Sequence, residues 1–228
     1  MNTSKIRQPL RGKIFGSILR RLETREKLPG LLVSLEIQIL LNATAGAFGT
    51  RGKQVWYLSA GQALKEYCDF TMRCMEDPGT DLKGKRKQDP QEQEQPGRSL
   101  QEVPKRSPQE QLVRSPQERR HLAERIYCSA FRLGSRVRKV TGLTEQEELQ
   151  KLVFLLYRGI GIRMDGDLPG EILVKECYFS QQYSPWQCAL MSCMDSGVIA
   201  GIFGGGKLTF TERITEGCGH CRAHFQNK

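Results

Sequence analysis

Side chains able to do chemistry crowd into the last quarter of the chain: Cys177, Cys188, Cys193, Cys218 and Cys221, with Asp195, His220 and His224 among them. Three chemistries fit these residue types. Cys218-Gly219-His220-Cys221 has the spacing of a redox dithiol. Such a pair exchanges disulfides when its first thiol opens a helix, which lowers the thiol pKa. Here an alternating stretch follows and no strand-helix-strand pattern precedes, so the context disfavours exchange. Cys188, Cys193, Cys218 and Cys221 could instead supply four zinc ligands, with His220 and His224 close by. If residues 185–202 are helical, however, Cys188 and Cys193 diverge by about 140° around the axis. On a strand, Cys221 would also face away from His220 and His224. The third pattern is Cys193-Met194-Asp195 with Cys177 upstream, a thiol and a carboxylate that could serve as nucleophile and acid/base partner. An assisting histidine would have to be His220 or His224, because His121 borders a proline-rich tract.

The elements that must position these groups are legible in part. Residues 1–30 form a polar, basic arm ending at Leu28-Pro29-Gly30. Residues 31–48 read as an apolar helix. Ser59 and Gln62 make a capping box, so a helix starts at Ala60, with Ala63, Leu64, Tyr67, Cys68, Thr71 and Met75 on its inward stripe. After residue 118, Leu122, Ile126, Ala130, Leu133 and Val137 give a further stripe. Thr144 and Glu147 suggest a second capping box, leading a helix through Leu149, Leu152, Val153, Leu156 and Ile160. Residues 171–179 read as a strand. Ser184-Pro185-Trp186-Gln187 is a third box, with proline at the first helical position. Gly204-Gly205-Gly206 stops that helix and lacks the ending of a phosphate loop. Leu208, Phe210, Glu212 and Ile214 then alternate with Thr209, Thr211 and Arg213. After a turn, Cys221, Ala223 and Phe225 face one way. Four helices followed by strand, helix, strand, turn and strand make an α+β domain with a terminal antiparallel hairpin.

Residues 78–118 differ from the rest. They hold six of the ten prolines and an eight-residue repeat: Arg98-Ser-Leu-Gln-Glu102, Arg106-Ser-Pro-Gln-Glu110 and Arg114-Ser-Pro-Gln-Glu118. Such a tract buries too little apolar surface to offset its ordering entropy, so it reads as a disordered insertion in one domain formed by residues 31–77 and 119–228.

Composition sets the class. Apolar residues are 38% and charged ones 26% of 228, with a net charge of +10. No apolar run reaches the roughly 18 residues of a bilayer span; residues 31–48 are interrupted by Glu36, Gln38 and Asn42. No export signal is evident, which points to a cytoplasmic protein with no membrane insertion. Eight cysteines in a chain of this kind are expected to be reduced, with Cys68, Cys74, Cys128 and Cys221 as apolar core residues. The basic arm carries +6 over residues 1–30, yet Phe15 and Phe48 are the only aromatics in the first 55 positions. That composition disfavours a base-stacking nucleic-acid surface. No cofactor motif is present, and the oligomeric state is open.

The C-terminal residues carry a resemblance. Cys177-Tyr-Phe, then Cys188 and Cys193-Met-Asp195, then Phe210-Thr-Glu-Arg-Ile-Thr-Glu-Gly217, then Cys221-Arg-Ala-His-Phe225 resemble the L-2-amino-thiazoline-4-carboxylic acid hydrolase-like family. The order Glu212, Gly217, Cys221, Phe225 is also similar to the end of 4-vinyl-reductase-type ligand-binding domains, which share a helices-plus-antiparallel-sheet fold with vesicle-tethering subunits. The resemblance spans roughly residues 118–228 and, more weakly, 31–77. It implies hydrolytic opening of a small cyclic C–N bond. Cys193 would be the nucleophile and Asp195 the acid/base or orienting group, with Cys177, Trp186 and Cys221 at the substrate. The alternative it implies is a non-enzymatic small-molecule-binding or sensing domain. A Cys/His metal protein is the third reading.

Overall fold

The computed structural model describes residues 4–24, 29–76 and 115–227. Helices α1 (Ser4–Glu23), α2 (Gly30–Phe48), α3 (Ala60–Glu76), α4 (Pro116–Thr141) and α5 (Gln146–Gly159) come first. Strands β1 (Ile162–Gly166) and β2 (Gly170–Cys177), helix α6 (Pro185–Phe203), and strands β3 (Lys207–Glu212) and β4 (Cys221–Gln226) follow. The strands form one antiparallel sheet in the order β1-β2-β4-β3. The architecture is α+β, with helices first and the sheet at the C-terminal end.

Local chemistry explains most boundaries. Ser59 and Gln62 close a reciprocal cap, with Ser59 N–H donating to Gln62 Oε1 at 3.3 Å. At α6, Ser184 N–H donates to Gln187 Oε1 at 2.8 Å. The apolar stripes of α3 and α5 are buried as their spacing requires. On the sheet, Ile172, Val174, Cys221, Ala223, Phe225 and Leu208 face inward. The registers Ile172↔Ala223 and Val174↔Cys221 place them side by side. The outer face is charged, with Arg222 joined to Glu171 at 3.0 Å and to Glu212 at 3.3 Å.

Several expectations are corrected. Within the basic arm, residues 4–23 form a helix; Leu19 is buried and Phe15 is half-buried against the core. The density of Arg and Lys hides that inward row in the sequence. Arg158 donates to Leu22 O at 2.8 Å, tying α1 to α5. Strand β1 was not expected, because only Ile162 is fully buried and Arg163, Asp165 and Gly166 look out. The stretch read as strand to residue 179 ends at Cys177 and tightens into a 3₁₀ turn, Tyr178–Gln181. Thr144 does not cap α5; Glu145 holds that position with no side-chain bond. The helix expected after residue 118 begins at Pro116, capped by Ser115 and Glu118. The third repeat copy therefore supplies a helix start, while the first two copies and the rest of 78–114 lie outside the described residues. Cys128 is exposed rather than core. All eight cysteines are free thiols. Finally, α2 and α6 are both long and apolar enough to cross a membrane by length and composition; α6 is mostly buried in the fold and half of the α2 window is. The polar interruptions of α2 therefore do not exclude it on those two criteria.

The tightest packing joins α4 to α6. Gly134, Gly197 and Gly201 meet backbone across the pair. A Cβ on Gly201 would lie 2.8 Å from Ser135 N and 3.0 Å from Gly134 Cα, and one on Gly197 would lie 2.5 Å from Tyr127 O. Small residues three and four apart let the two helices touch backbone to backbone. Gly201→Val is expected to cost about 2–3 kcal/mol or more by overpacking, lowering the melting temperature by roughly 5 °C or more. Gly61, on the exposed side of α3, has open space where its Cβ would go. Gly61→Ala should stabilise by a few tenths to about 1 kcal/mol. Equal melting temperatures for the two variants would show that the α4–α6 contact is not the constraint described.

Candidate functional site

Helix α6 turns one stripe, Cys188, Met191, Ser192, Asp195 and Val198, toward the inner face of the sheet. Between that stripe, the sheet and helices α1, α2 and α5 lies a cavity of about 390 Å³. Its wall is mostly aliphatic, from Phe15, Ile18 and Leu19 of α1, Leu32, Leu35 and Ile39 of α2, Leu152, Leu155 and Leu156 of α5, and Met164, Val174 and Phe210 of the sheet. Ile18, Leu32, Leu35 and Ile39 line the cavity yet remain 44%, 43%, 49% and 43% exposed, so the mouth lies between α1 and α2.

Few polar groups interrupt this wall. Tyr157 of α5 donates its hydroxyl to Asp195 Oδ1 at 3.0 Å. Burial pushes the Asp195 carboxyl up to about 6 from its ordinary 3.8, while the bond from Tyr157 and the charge of Arg213 pull the other way. Burial and the neighbouring Asp195 charge raise the Tyr157 phenol well above its usual range. Tyr67 shares a hydrogen bond with Thr44 at 3.1 Å, and Tyr183 shares one with Thr71. Glu36 stands alone. Its helix neighbours Ser34 and Gln38 are satisfied, Ser34 by Leu58 O at 2.8 Å and Gln38 by Lys53 O at 3.0 Å, fixing the loop after α2. Glu36 has no hydrogen bond or ion pair among the described residues. It keeps some accessible area because it faces the cavity, and desolvation by the apolar wall raises its carboxyl well above the ordinary value.

The expected site residues divide. Asp195, Cys177 and Cys221 line the cavity, and Cys188 joins them. Cys193 and Trp186 are not among its lining residues. The reason is helical rotation: two residues turn the side chain about 200°, so Cys193 points away from the stripe that carries Asp195. Neither His220 nor His224 lines the cavity. His220 pairs with Glu212 at 3.0 Å on the charged side of the sheet, and His224 is exposed. Cys218 sits in the turn before β4. Among the described residues no group of three or more His, Cys, Asp or Glu side chains could hold a metal ion. Burial pushes the Cys177 thiol up to about 12 and raises Cys188, Cys193 and Cys221 as well. These thiols are poor sources of thiolate near neutral pH.

Glu36, Tyr157 and Tyr67 were missed. Glu36 had a signal, as the one charged residue in the apolar stretch 31–48. The tyrosines had none beyond their place on buried stripes. No protein-family model, curated protein or solved structure matches the chain.

The buried carboxyl gives a pH prediction. The folded state holds the Asp195 proton more tightly than the unfolded chain does. That contribution to stability is present below pH ~4 and is lost as pH rises through about 6. Asparagine keeps the shape and cannot ionise. Asp195→Asn should therefore gain on the parent as pH rises, by up to about 3 kcal/mol above neutrality. Denaturant unfolding near pH 4 and near pH 8 measures this, and an unchanged difference between the two proteins would contradict it.

Proposed function

We infer that the protein binds an apolar small molecule in the cavity between α6 and the sheet, with the Tyr157–Asp195 pair fixing its polar end. One observation carries the reading: a cavity of about 390 Å³ with a mostly aliphatic wall, a mouth between α1 and α2 and a few polar groups. That volume falls within the roughly 300–1,000 Å³ of small-molecule sites, and the chemistry of the wall matches theirs. The cavity thiols act here as apolar wall, since burial holds them protonated. This is the binding-domain alternative of the resemblance.

The hydrolytic alternative draws less support. A cysteine nucleophile needs an adjacent base or a lowered pKa. Cys193 lies off the cavity wall, its thiol is raised by burial, and no histidine lines the space.

The test is thermal unfolding of the full chain with dodecanol added. A melting temperature that climbs with ligand concentration is expected, as mass action on the folded state requires. Met191→Trp fills the cavity from α6 and should abolish the shift while leaving the unliganded protein folded. No shift in the parent, or an equal shift in the variant, would overturn the reading. Turnover of 2-amino-thiazoline-4-carboxylate by the same preparation, lost in Asp195→Asn, would replace it with the enzymatic one.

A further inference from the structure

We propose that the ligand of this cavity carries a basic nitrogen, an alkylammonium group on an apolar body, held by Glu36. The inference rests on the binding role above and adds the chemistry of the ligand's head.

Three observations point the same way. First, among the described residues the wall contains two carboxyls and no Lys, Arg or His. An anionic ligand would find no cation in the wall to pair with. Second, Glu36 is enclosed by the wall, faces the space and has no hydrogen bond or ion pair among the described residues. Buried carboxylates are ordinarily paired, because an unpaired one is costly to desolvate. Nothing else on α2 needs this one: Gln38 and Ser34 already hold the neighbouring loop. A ligand cation would complete it. Third, aromatic rings line the same cavity. Tyr67 packs edge-on to Phe179 at 5.9 Å and Phe179 stacks on Tyr183 at 5.5 Å, and all three line the cavity. Ring faces attract ammonium groups, most strongly where water is excluded.

Arg213 is the nearby cation to account for. Its charge reaches Asp195, but its guanidinium lies over the Phe210 ring at 5.0 Å and pairs with Glu216 at 3.6 Å. It is not part of the wall. Asp195 is thus already partly compensated by Tyr157 and Arg213, and Glu36 is the carboxyl left for a ligand.

The experiment compares three probes of equal chain length, dodecylamine, dodecanol and dodecanoate, titrated calorimetrically into the full chain below their micellar concentrations. The amine is expected to bind about tenfold or more tighter than the alcohol, as a charge-assisted hydrogen bond would give, and dodecanoate most weakly. Glu36→Gln should remove that preference while dodecanol still binds, which also shows that the variant is folded. Asp195→Asn should reduce it less. Dodecanol binding with no preference for the amine, tighter dodecanoate, or a preference that survives Glu36→Gln would each overturn the ammonium assignment alone. If none of the three binds, the cavity reading falls with it.

Discussion

Everything in this fold is arranged around the backbone contact between α4 and α6. Gly134 on one helix and Gly197 and Gly201 on the other remove the side chains that would hold the pair apart. Each glycine costs its helix about 1 kcal/mol of propensity, so the geometry must return more than that through dense contact. The return is structural as well. With one side of α6 committed to α4, the opposite stripe is free to face the sheet. That division of a single helix into a packing side and a lining side decides which residues reach the cavity. It places Asp195 on the lining side and Cys193 off it.

The cavity itself is a balance between dry walls and a few polar groups that the walls make expensive. A carboxyl in such surroundings prefers its proton, which is why burial raises both Asp195 and Glu36. Asp195 meets the cost with a phenol donor and the charge of the Arg213 guanidinium. Glu36 meets it with no partner among the described residues. The contrast between two acids in one space is the most specific chemical statement the structure makes. It separates a cavity shaped only by imperfect packing from one with a directional demand on what enters.

The sequence made the scaffold more legible than the site. Ser59 with Gln62 and Ser184 with Gln187 mark helix starts because the cap is a local hydrogen-bond exchange, complete within four residues. The alternation of Cys221, Ala223 and Phe225 marks an inward face for the same local reason. Helix α1 was obscured because its inward row is short and its outer face dominates the composition. Strand β1 was obscured because its outward residues are charged and its hairpin partner carries most of the apolar signal. The site failed differently. Cys193 and Asp195 are neighbours in sequence and were read as neighbours in space, but a helix separates such residues by more than half a turn. Glu36 and Tyr157 are far apart in the chain and close in the fold. No spacing rule joins them. A cavity is unfilled volume among several elements, and its shape depends on side-chain sizes that no single stretch records.

The same α4–α6 contact has a consequence for how the chain comes into being. Gly134 and Gly201 touch across a long intervening segment that includes the β1–β2 hairpin. Translation delivers α2, α3 and α4 first, at roughly 5–20 residues per second. For the seconds before α6 leaves the ribosome, the face of α4 around Ala130 and Gly134 lacks its partner. The early helices can collapse on one another through Ile37, Leu41, Ala63 and Ile126, all buried in the finished core. Their final spacing is set only when the last third of the chain arrives. The protein thus emerges as an unfinished bundle that its own C-terminal region must wedge into register.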